Sequence, residues 1–128
     1  DILKEKESEI REDMEHDSHN NGPRNLLVSS LLFKCISSGT PEEYNVFTAA
    51  GEQVGYVRLH HGTLSAEYPN ADGDCVYDTE GFAGEGSFLN DKERLYHLGK
   101  IADALMAKEM EEWSNRREAL WLSEKEYL

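Results

Sequence analysis

The sequence predicts an α+β fold: an antiparallel β-sheet meander of four to six strands, covered on one face by a C-terminal helix, with additional helices at the N- and C-terminal ends. Three observations carry this reading. Residues 44–68 (YNVFTAAGEQVGYVRLHHGTLSAEY) alternate apolar and polar between two turn signals. A helix start with an apolar stripe follows Asn90, and breaker-rich segments separate these regions from their neighbours.

The meander can be assigned a register. A four-residue loop over 49–52 sets Thr48 opposite Gln53, Val46 opposite Gly55 and Tyr44 opposite Val57. A two-residue turn at His61 and Gly62 sets His60 opposite Thr63, Leu59 opposite Leu64, Arg58 opposite Ser65, Val57 opposite Ala66 and Tyr56 opposite Glu67. The two assignments agree. One face collects Tyr44, Val46, Val57, Leu59, Leu64, Ala66 and Tyr68; the other collects Asn45, Phe47, Val54, Tyr56, Arg58, His60, Thr63, Ser65 and Glu67. A slip of one residue would mix the two sets.

Upstream, residues 1–17 are rich in Glu and Lys, and Leu3, Ile10 and Met14 form a thin stripe at helical spacing before the breaker run 17–23. The apolar run 26–37 fits a buried strand or a buried helix. The turn residues over 37–42 favour a strand over 31–36 that pairs with 44–48, while Gly39 as a helix-ending residue is the competing reading. Downstream, residues 69–73 turn the chain into a shorter strand at 75–78, and the glycine-rich 81–86 reads as a flexible connection around a short strand near Phe88.

The C-terminal helix begins with Asn90 as N-cap, Glu93 as capping-box partner and Asp91 in the first turn. Its stripe of Leu95, Leu98, Ile101, Ala102, Leu105, Met106, Met110 and Trp113 is expected to cover the sheet, which makes Trp113 and the methionines core residues. Beyond Asn115 a further helical segment concentrates Leu120, Trp121, Leu122, Tyr127 and Leu128. Either it folds back over the second sheet face or it docks on another chain, a second copy included. The organisation is therefore 1–23 as N-terminal helix and linker, 24–114 as the α+β core domain and 115–128 as a C-terminal helical extension.

The chain carries a formal charge of −13, from 26 acidic against 13 basic residues. Such a surface repels nucleic acid and anionic lipid, so no direct nucleic-acid binding and no membrane association are expected, and a partner protein with a basic surface is favoured. No apolar run approaches the roughly 20 residues of a membrane span. Cys35 and Cys75, far apart and without a CxxC pair, read as ordinary thiols in a reducing, cytoplasmic setting.

Residues 70–81 resemble a calcium loop only superficially, because Cys75 stands where the glycine belongs and Gly81 where the bidentate acid belongs. GFAGEG lacks the lysine of a phosphate loop. His60 and His61 are adjacent and point to opposite faces in a strand, and His16 and His19 sit in linker composition, so no metal and no cofactor is expected. There is no nucleophile elbow and no cysteine beside a base, and no catalytic residue is assigned.

What remains is a small acidic, non-enzymatic binding protein, regulatory or inhibitory, of the size and charge of small phage inhibitors that dock on a host protein that processes nucleic acid. Its expected partner face is Phe47, Tyr56, Arg58, His60 and Glu67; its expected interface helix carries Trp113, Leu120, Trp121 and Tyr127. Two alternatives stand beside this. One is an oligomer that binds an anion or nucleotide through Tyr56, Arg58 and His60; the other is an assembly subunit, a homodimer or larger, built through terminal helices.

Overall fold

The computed structural model describes residues 22–38 and 40–126. Six strands precede one helix: β1 (Leu26–Val28), β2 (Leu31–Ser37), β3 (Glu42–Phe47), β4 (Gln53–His60), β5 (Thr63–Tyr68), β6 (Asp74–Glu80) and α1 (Asp91–Glu126). The strands form one antiparallel sheet in sequential order, each paired with its chain neighbour.

The ambiguous run 26–37 is two strands. Ser29 and Ser30 both adopt positive φ, 49° and 70°, the signature of a two-residue type I′ hairpin turn. β1 and β2 then pair Leu26 with Phe33 and Val28 with Leu31. Next, β2 pairs with β3 through Phe33–Val46 and Cys35–Tyr44, the hairpin expected between 31–36 and 44–48.

The registers of Tyr44–Val57, Val46–Gly55 and all five predicted β4–β5 pairs are as read from the turns. One difference has a clear cause. A β-bulge makes Phe47, not Thr48, the partner of Gln53, and the extra β4 residue is Val54. It turns to the core side, only 1% exposed, instead of joining the polar face. β6 is longer than expected and also carries a bulge, at Ala66/Glu67 in its pairing with β5.

No strand forms near Phe88. Residues 81–90 fold back as turns whose backbone bonds go to the β4–β5 turn (Gly62 N–H to Glu85 O, 2.6 Å) and to β3 (Glu42 N–H to Gly86 O, 2.7 Å). Phe88 is thereby buried at the foot of α1.

The cap of α1 forms as predicted: Glu93 N–H donates to Asn90 Oδ1 at 2.9 Å. The Glu93 carboxylate reaches back to the Leu89 N–H at 3.1 Å, one residue before the usual capping-box position. Leu98, Ile101, Ala102 and Leu105 pack on Tyr44, Val46, Val57, Leu59, Leu64 and Ala66 to make the core. Gly55 permits the contact, since a Cβ there would stand 2.6 Å from Leu105 Cδ1.

Beyond Leu105 the helix outruns its support. Thirty-six residues extend about 54 Å at 1.5 Å per residue, whereas strands of six to eight residues extend roughly 20–27 Å. Met106, Met110 and Trp113 are therefore exposed, at 42%, 70% and 54%, and the expectation that they are core is corrected. The helix passes Asn115 without a break, because no Gly or Pro lies between Lys100 and Glu126. Among the described residues no helix is long and apolar enough to cross a membrane. The helix expected over 1–17, its stripe, His16, His19 and Tyr127 lie outside the described residues.

Candidate functional site

With α1 on one side, the other side of the sheet is uncovered among the described residues. It carries the polar set read from the sequence, less Val54. The cross-strand rows Asn45–Tyr56–Glu67 and Glu43–Arg58–Ser65–Asp78 place these side chains side by side. Phe47 joins them from β3, next to Leu32 of β2, and His60 lies at the far end opposite Thr63.

Arg58 does not pair with Glu67. Its Nε lies 3.8 Å from the Glu43 carboxylate directly across on β3, a half-exposed pair of modest strength. The Glu67 Oε2 is buried and accepts no hydrogen bond. Burial pushes the Glu67 carboxyl up, and a hydrogen bond from Ser65 and the charge of Arg58 oppose that shift. Tyr56, between Asn45 and Glu67, has its phenol pushed up to about 12 by burial, then by its hydrogen bond to Glu43 and by the charges of Glu43 and Glu67. The face thus has an apolar and aromatic floor, one tethered cation and a carboxylate oxygen without a donor.

The two histidines are closer than strand geometry alone implies. His61 occupies the turn with φ 53°, so its ring lies against that of His60, 3.7 Å between centroids and tilted by 59°, instead of pointing to the opposite face. Desolvation, His61 and Arg58 together hold the His60 imidazole below its ordinary value. Among the described residues no group of three His, Cys, Asp or Glu is placed to hold a metal ion. Cys35 on β2 and Cys75 on β6 are both free thiols, and four strand spacings of about 4.8 Å separate their strands, too far for a disulfide.

The interface residues on α1 are also placed. Trp113, Leu120 and Trp121 are all more than half exposed on the stretch that leaves the sheet, and the Arg117 guanidinium lies 5.3 Å from the Trp113 ring centre. Nearer the core, an apolar cavity of about 240 Å³ opens between helix and sheet, lined by Leu31, Thr48, Val54, Leu105, Met106, Glu109 and Met110.

The strongest polar cluster was not singled out from the sequence. Glu42 and Arg94, 1% and 0% exposed, form a two-pronged pair, Nε to Oε2 at 2.7 Å and Nη2 to Oε1 at 3.0 Å. Arg94 Nη1 also donates to Asp91 at 2.5 Å, and Arg24 grips the other side of Asp91 at 3.0 and 3.1 Å. Ser87, the Phe88 N–H and the Tyr44 hydroxyl complete the Glu42 shell. The signal was present: Glu42 shares the alternation of Tyr44 and Val46, and Arg94 precedes Leu98 by one helical turn, so both fall at core positions. Glu42 and Arg94 are sealed from solvent, the partly exposed Arg24 closes the outer side, the four charges balance, and the role of the cluster is to latch the helix start to β3.

No family model, no curated protein and no solved structure matches this chain. Function is therefore argued from the surfaces themselves. Of these, the outer sheet face combines exposure with an unmet hydrogen-bonding demand.

Proposed function

We propose that the chain is a small acidic, non-enzymatic binding protein, regulatory or inhibitory, that takes a basic surface of a partner protein on the outer face of its sheet. The observation that carries this reading is the buried Glu67 Oε2 without a donor, on an open face beside Tyr56 in a chain of charge −13. Leaving a carboxylate oxygen desolvated and unpaired costs roughly 1–3 kcal/mol. An arginine or lysine laid over the Tyr56 ring, bonded to the Glu67 carboxylate as that half-buried side chain turns outward, removes that cost and adds a cation–π contact. Glu43, beside Tyr56, and Asp78, in the row of Arg58 and Ser65, add negative charge to the same face and steer such a cation.

The anion- or nucleotide-binding alternative has less support, because Arg58 leans on Glu43 and two further carboxylates flank it. A cytoplasmic setting fits the two free thiols, and the charge argues against direct binding of nucleic acid.

The test is calorimetric titration of an arginine-rich peptide into the wild type, Glu67→Gln and the charge-matched Glu111→Gln on α1. Loss of one charge-assisted bond predicts about tenfold weaker binding for Glu67→Gln and little change for Glu111→Gln. Equal weakening by both would reduce the interaction to bulk charge and refute the site.

A further inference from the structure

The apolar stripe of α1 changes course where the sheet ends. Up to Leu105 it follows Leu98, Ile101, Ala102 and Leu105. Continued at the same spacing it would reach Glu109 and Glu112. Instead the apolar residues resume at Met106, Met110, Trp113 and Leu120, one position and about 100° around the helix. With Arg117 between, this second seam has the alternating four-and-three spacing of a helix that packs on another helix. It begins at the cavity between Met106, Met110, Val54 and Leu31 and runs off the end of the domain.

The geometry points to a second copy of this chain as the occupant, packed antiparallel along the seam with its two-fold axis at the level of Asn115. In that register the seam is its own complement: Met110 meets the partner's Leu120, and Trp113 meets the partner's Arg117, repeating the contact that Arg117 already makes with Trp113 within the helix. Ser114, a small exposed residue beside the seam and one position from the axis, comes close to its own copy. The partner's Leu120 and Trp121 arrive at the open cavity beside Met106 and Met110, and each copy fills the cavity of the other.

Charge selects both the place and the direction. Residues 113–121 hold Arg116 and Arg117 against Glu118, whereas residues 103–112 hold Asp103, Glu109, Glu111 and Glu112 against Lys108. The two-fold axis thus falls in the least acidic stretch of each helix. An antiparallel pair sends the two acidic sheets to opposite ends, about 28 Å of shared helix apart for 19 overlapping residues; a parallel pair would press them together. An isologous contact of this kind closes as a dimer.

Sedimentation of the full chain across the micromolar range tests the pairing. The wild type is expected as a dimer, and Trp113→Glu/Leu120→Glu as a monomer with an unchanged far-ultraviolet spectrum, since both residues are exposed. In a Cys75→Ser background, mild oxidation is expected to link Ser114→Cys chains into a covalent dimer and to leave Glu111→Cys chains unlinked. A wild-type monomer, a dimer that survives the double substitution, or equal cross-linking at 111 and 114 would each overturn the proposal. None of these outcomes bears on Glu67, which lies on the opposite side of the sheet from α1.

Discussion

Replacing Arg94 by Met probes the latch most directly, because methionine keeps an unbranched stem in place of the arginine's while removing the charged guanidinium. The change deletes the bonds of 2.7 and 3.0 Å to Glu42 and of 2.5 Å to Asp91. Removing one partner of a buried ion pair costs about 3–5 kcal/mol. The lower end applies, since Glu42 keeps Ser87, the Phe88 N–H and Tyr44, and Asp91 keeps both bonds from Arg24. A loss of about 3 kcal/mol is a large share of the 5–15 kcal/mol typical of a domain. With a urea slope near 2 kcal/mol/M it moves the midpoint down by about 1.5 M at constant slope. Glu42→Gln/Arg94→Met should cost at least ~1 kcal/mol less than the two single changes together. A single-variant loss below about 1 kcal/mol, or strict additivity, would refute the claim that the pair fixes the helix start.

Three further outcomes are expected. Leu59→Ala, at a fully buried position, should cost about 2–5 kcal/mol while Arg58→Ala, next in sequence but on the outer face, stays within about 0.5 kcal/mol; equal losses in urea unfolding would sink the face assignment. Gly73→Ala should destabilise by more than about 1 kcal/mol, because its Cβ would meet Tyr68 O at 1.8 Å, while Gly99→Ala, in open space on α1, should stabilise by about 0.5–1 kcal/mol; the pair is read from thermal midpoints. His97, bonded to the Tyr77 hydroxyl at 3.1 Å and packed on Phe82, has its imidazole lowered by desolvation and then by Lys100, against the pull of Glu93. The unfolded chain therefore takes up the proton first, and stability falls as pH drops below about 6.5; thermal midpoints of His97→Gln should show a shallower fall between about pH 7 and 5, and an unchanged slope would exclude His97 as its source.

The sheet was legible because its registers follow from loop lengths, and a period-two pattern locks once two turns agree. Val54 escaped because a bulge inserts a residue without any compositional mark, and the Ser29–Ser30 turn because serine is an uncommon carrier of two successive left-handed conformations. Trp113 and the methionines were misplaced for a different reason. Helical periodicity reports which side of a helix is apolar, not how far its support extends, and the end of the sheet is a tertiary fact. Within the candidate site, Tyr56, Arg58, His60 and Glu67 share one face as the register implies, whereas the ion pair of Arg58 is not legible in the sequence, since Glu43 and Glu67 are both within reach of β4 and only side-chain conformation decides.

The strictly sequential order of the strands has a consequence for how the chain comes off the ribosome. Every hairpin can zip as it emerges, with short loops to close, yet the six strands are complete before any of α1 exists. The apolar side of the sheet therefore waits bare until the helix that begins at Asp91 is made. Arg94, bonded across 52 residues to Glu42, and Asp91, bonded across 67 to Arg24, stand in the first turn of that late helix. The earliest residues able to end the exposed interval are those that anchor the helix, so nascent chains stalled before residue 91 should be the most prone to aggregate.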